Sequence, residues 1–145
     1  MRRLPELPLP TAPFLPGRGP HPRSLPDHLP ELDVETGSPE HTIRWRYGLD
    51  LFDAGCFWEA HEVWEGLWLA QDRTSDEATL IQGAIQLAAS HLTALLGRQA
   101  ASARLRVRAV ARLTRVRRGM ESRAWGIDWD RWIGPQPPQT PSPPR

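Results

Sequence analysis

Lysine is absent: all eighteen basic side chains among the 145 residues are arginine. A GC-rich genome that favours arginine codons accounts for that bias, so the bias carries no function by itself. Cysteine is nearly absent. With Cys56 alone no intrachain disulfide can form, which fits a reducing compartment. No apolar run approaches the eighteen or so residues of a membrane span; residues 87–96 are too short and include Ser90, His91 and Thr93. Prolines interrupt the N-terminal residues, leaving no signal-peptide core. The expected location is cytoplasmic, with no membrane partner. Proline itself is missing from 40–134, although the chain has sixteen. Ten of them fall within 5–39 and six within 135–144. An interior proline costs a helix about 3 kcal/mol or more, so the gap marks where helices can run.

What is present divides the chain in three. Residues 1–39 read as a proline-rich extended arm, 40–133 as one helical domain, and 134–145 as a disordered proline-rich tail. The arm is apolar for a linker, carrying Leu4, Leu7, Leu9, Phe14, Leu15, Leu25, Leu29 and Leu32. At least 14–32 is therefore expected to pack along the helices. Spacing predicts a first helix over about 40–53, capped by Ser38 with Pro39 in its first turn and stopped by Gly55. A second should cover about 56–70 and a third about 75–96, the latter behind a Thr74-x-x-Glu77 capping box and ended by Gly97. A fourth should run over about 99–118, followed by a short tail anchored by Trp125, Trp129 and Trp132. The expected fold is all-α: a compact bundle of about four helices that opens with an antiparallel hairpin. Gly48, Leu51, Phe57, Ala60 and Trp64 have the spacing of a tetratricopeptide hairpin. The second unit matches poorly beyond Gly83, which argues against a solenoid.

The second helix carries the chemistry. At about 100° per residue its buried arc is Phe57, Ala60, Trp64, Leu67 and Trp68, with Glu59, Glu62 and Gly66 on the solvated side. His61 and Glu65 fall between these arcs, one turn apart, edged by Trp58 and Trp68. Such a pair can hydrogen-bond, hold a metal or exchange protons with a ligand. On the third helix Thr79, Gln82, Gln86, Ser90 and Thr93 form a polar stripe, expected to face His61 and Glu65. The candidate ligand-binding residues are Trp58, Glu62, Trp68, Gln82 and Gln86. The candidate metal ligands are His61 and Glu65, with His21 or His28 from the arm. The same groups could equally form a closed network that only fixes helix packing.

The run Phe52-Asp53-Ala54-Gly55-Cys56-Phe57-Trp58-Glu59-Ala60-His61-Glu62-Val63-Trp64-Glu65-Gly66-Leu67-Trp68 resembles the signature of the bacterial and archaeal "domain of unknown function 309" family. Leu80-Ile81-Gln82-Gly83-Ala84-Ile85-Gln86-Leu87-Ala88-Ala89 is similar to its second block. The proline-rich residues 14–23 resemble the family's lead-in, with His28 near a Gly-His position, and Gly126-Ile127-Asp128 resembles a C-terminal element. The resemblance implies a compact helical fold and a His-x-x-x-Glu-x-x-Trp motif suggested to bind metal. It implies no established reaction.

Function classes separate on what each requires. A divalent metal ion needs three or four protein ligands, and His61 with Glu65 supplies two; His91, Glu62, His21 or His28 would have to add more. An enzyme without metal could use His61 as a general base, but no nucleophile stands in the motif, and Cys56 reads as a small residue in a tight turn. Whether the protein is an enzyme is therefore left open. Charge supplies the alternative. The formal net charge is +1, yet eight arginines and no acid fall within 98–118, while 50–77 carries eight acids and only Arg73. Arg104, Arg106, Arg108, Arg112, Arg115, Arg117 and Arg118 could bind nucleic acid or a protein, leaving the His/Glu motif structural. No nucleic-acid-binding motif accompanies them. A homodimer is open for so aromatic a small domain.

Overall fold

The computed structural model describes residues 2–18, 28–33 and 35–134, and among these it contains helices and no strand. The expected disordered tail lies outside the described residues, apart from Gly134. Helix α1 spans Ile43–Asp53, α2 Phe57–Leu69, α3 Asp76–Leu95, α4 Gln99–Met120 and α5 Trp129–Ile133. The chain is an all-helical bundle.

The ends of these helices follow from local side-chain chemistry. Pro39–His41 forms a separate 3-10 turn, and the Ser38 side chain makes no capping bond among the described residues. The cap of α1 is Thr42, whose Oγ1 accepts from the Trp45 amide while its hydroxyl donates to the Pro39 carbonyl. At α3 the cap is Ser75 rather than Thr74, with the Ser75 hydroxyl accepting from the Ala78 amide at 3.1 Å. Thr74 is occupied elsewhere: its amide and hydroxyl both donate to Asp72, which holds the Asp72 carboxyl below its usual range. Glu77, the expected partner in the capping box, accepts from Arg123 instead. Gly55 and Gly97 adopt φ of +81° and +79°, the left-handed conformation that ends α1 and α3.

Each helix packs against the next, and α5 returns onto α4. The centre is aromatic. Trp45 and Trp64 stack at 5.1 Å, and Trp125 meets Trp45 edge-on at 4.9 Å. Their polar atoms are mostly placed too: the Trp45 indole donates to the Trp125 carbonyl and the Trp64 indole to the Trp45 carbonyl. This packing needs Gly48. A Cβ there would sit 1.9 Å from Trp64 Nε1. Gly83 plays the corresponding part between α3 and α4, with Leu113 lying over it.

The described arm residues lie on this bundle. Leu4 is buried, and Leu7, Leu9, Leu29 and Leu32 pack against the core. Backbone groups of the arm are bound at several places: Tyr47 donates to the Pro8 carbonyl, Arg44 to the Leu32 carbonyl, and Asp50 accepts from the amides of Arg3 and Leu4.

Candidate functional site

Helix α2 contributes its residues to three surroundings. Ala60, Val63, Trp64 and Leu67 are buried in the bundle. His61 and Glu65 lie one turn apart on an outer flank, with His61 Nε2 3.3 Å from Glu65 Oε2 and side chains 30% and 49% exposed. Glu59 lies on neither of these sides, and its position corrects the sequence reading.

Expected in solvent, Glu59 is fully buried. Helical position alone sets it away from the bundle core, but the arm covers that flank. Oε2 accepts from the Phe14 amide at 2.8 Å and is joined to His28 Nε2 at 2.6 Å. The Phe14 ring meets Trp58 edge-on at 4.9 Å, and the His28 ring lies 6.3 Å from Trp58. Glu59 Oε1 is equally buried and has no hydrogen-bond partner among the described residues. Neighbouring groups register this carboxylate. Burial, aided by the charge of Glu59, pushes the Cys56 thiol up to about 11, so Cys56 is no nucleophile at neutral pH.

Asp50 provides the comparison. It too is a buried acid that receives arm amides, from Arg3 and Leu4. Both of its oxygens are filled, and Arg2 and Arg3 add guanidinium contacts. Burial alone would raise the Asp50 carboxyl, but the two amide bonds and Arg2 together hold it below its usual range. Two acids on two helices thus bind the arm's backbone, one completely and one with an oxygen to spare.

The other site residues fall as follows. His28 pairs with Glu59, and among the described residues no three His, Cys, Asp or Glu side chains converge as a metal-binding group. His21 lies outside the described residues. His61 Nδ1 is buried without a partner among the described residues. Trp68 is covered by Arg73, whose guanidinium lies 3.9 Å from the ring centroid. Glu62 and Gln82 are half-buried. The polar stripe of α3 does not face His61 and Glu65: Gln86 accepts from Arg112 and Ser90 exchanges bonds with Ser102, both on α4. Thr79 and Thr93 bond back to carbonyls of the preceding turn. His91 stacks on Phe57 at 4.8 Å; desolvation, with the charges of Arg106 and Arg131, lowers its pKa.

Residues 45–105 match the family described as a domain of unknown function (DUF309). The segment includes Glu59, His61 and Glu65, whereas Phe14 and His28 lie outside it. No curated protein and no solved structure matches the chain.

Proposed function

We propose that the protein binds a small ligand bearing an N–H or ammonium group at Glu59, on the flank of α2 covered by the arm. The unequal use of one buried carboxylate carries this reading. Oε2 holds the arm through Phe14 and His28, while Oε1 is buried and meets no donor among the described residues. Asp50 holds the arm with both oxygens, filled by the Arg3 and Leu4 amides, whereas Glu59 holds it with one. A buried acceptor without a donor costs about 1–3 kcal/mol, and more when charged. A ligand donor would remove that cost. Phe14, whose amide meets the carboxylate, packs its ring edge-on against Trp58, and aromatic rings favour a cationic partner. His28, joined to the same carboxylate, offers a route for a proton between ligand and protein. His61 and Glu65 supply a pair of ligands on another flank, short of the three or four that a bound divalent metal ion takes.

The test is thermal unfolding of the wild type, Glu59→Gln and His61→Ala with methylguanidine, propylamine, propionate or zinc. Glutamine can still accept from Phe14, so the arm's anchor survives while the carboxylate is lost. A ligand at ten times its Kd stabilises by about 1.4 kcal/mol, which raises the melting temperature by roughly 2–5 °C in a chain of this size. The wild type and His61→Ala should respond to one or both amines and not to propionate, and Glu59→Gln should respond to neither. Equal responses from wild type and Glu59→Gln, or none to either amine, would contradict the proposal. A zinc response abolished by His61→Ala alone would place the site at His61 and Glu65 instead.

A further inference from the structure

We infer that the exposed face of α4 binds the phosphate backbone of duplex DNA, at a surface separate from Glu59. Of the eight arginines within 98–118, Arg98 is the N-cap residue of α4, and the other seven are not equivalent. Arg106 donates to the Trp132 carbonyl, Arg112 to Gln86, and Arg117 pairs with Glu121 and Asp130. Those three tie α4 to its surroundings. Arg104, Arg108, Arg115 and Arg118 are exposed, and none has a hydrogen bond or acidic partner among the described residues. At 100° and 1.5 Å per residue these four fall within an arc of about 80° and a length of about 21 Å. Val107, 69% exposed, stands beside the row, and the opposite side of α4 is fixed in the bundle by Ala109, Leu113, Val116 and Met120. The result is a purely positive row along one side of α4.

Charge complementarity selects the occupant. A second copy of the chain would have to offer free acids in a matching row, and of the eight acids within 50–77 four, Asp50, Asp53, Glu59 and Glu77, are already engaged, which leaves Glu62, Glu65, Asp72 and Asp76. Asp50 and Asp53 are held by Arg2, Arg3 and Arg131, Glu59 by His28, and Glu40 and Glu77 by Arg123. Duplex DNA carries a charge per ~1.7 Å of axis, hence about twelve along a 21 Å row, and requires no side-chain register. Guanidinium groups match phosphate oxygens bidentately. The row contains no aromatic side chain on which an unpaired base could stack, which favours a duplex over a single strand.

Fluorescence anisotropy with a labelled mixed-sequence DNA duplex, titrated from low to moderate salt, tests this. Four phosphate contacts give a slope of log K against log salt near −3.6, so a fourfold rise in salt should weaken binding about a hundredfold. The variant R104Q/R108Q/R115Q should reduce the slope to about −1 and leave the melting temperature unchanged, because all three side chains are exposed. A second duplex of unrelated sequence should bind equally, and Glu59→Gln should bind as the wild type does. No binding at low salt, an unchanged slope in the triple variant, or tighter binding to single-stranded oligo-dT would overturn the inference.

Discussion

Tyr47 is the chain's only tyrosine, and it sits fully buried beneath the arm. Burial raises its pKa to about 12, with Cys56, Glu59 and Asp50 adding to the rise and Arg2 opposing it. The consequence for stability has a definite sign. An unfolded tyrosine loses its proton near pH 10, so between about 10 and 12 the folded chain binds more protons than the unfolded one. Stability from this group is complete below pH 10 and falls as the pH rises towards 12. A spectrophotometric titration should therefore show no phenolate near pH 10 and a late transition that coincides with unfolding. An ordinary titration around pH 10 with native structure retained would show that Tyr47 is not enclosed. The same enclosure separates the two acids of the arm contact: Asp50 is saturated with donors, and Glu59 is not.

At the scale of elements, α1 and α2 meet through Gly48, and the indole of Trp64 fills the space where a Cβ would be. Gly48→Ala forces that ring from its place beside Trp45, an overpacking that costs about 1–3 kcal/mol or more. Denaturant unfolding followed by tryptophan fluorescence should show the midpoint falling accordingly; a change within about 0.5 kcal/mol would mean that the helices separate easily. The helices themselves were legible because proline is absent from them and glycines at 55 and 97 end two of them. The caps were missed by one residue or more, since Ser38 and Thr42, or Thr74 and Ser75, are equivalent candidates until a local turn claims one. The polar stripe of α3 was visible, but its partner was not: a helix between two neighbours can turn a stripe to either, and Arg112 and Ser102 decide for α4. Glu59 was misplaced for a related reason. Periodicity describes a helix against one core, and the cover over Glu59 comes from residues about thirty and more positions earlier in the chain. His28 stands out in the sequence, whereas helical periodicity sends its partner Glu59 to solvent.

Considered whole, the molecule is a bundle with an aromatic centre and two surfaces of different chemistry. On one, the arm crosses α1 and α2 and is bound by Asp50 and Glu59. On the other, α4 presents arginines that no described acid neutralises. The central claim is that Glu59 serves a ligand as well as the arm, and its own carboxyl carbon is the most direct reporter. In protein labelled with 13C at the glutamate carboxyls, methylguanidine and propylamine should be titrated while each resonance is followed, with Glu59 assigned by its loss in Glu59→Gln. The account predicts a saturable shift of the Glu59 signal with one or both amines, larger than that of exposed carboxyls such as Glu65, and no such shift with propionate. A Glu59 signal that stays fixed while exposed glutamates drift together would contradict it, and Glu59 would then be an anchor for the arm and nothing more.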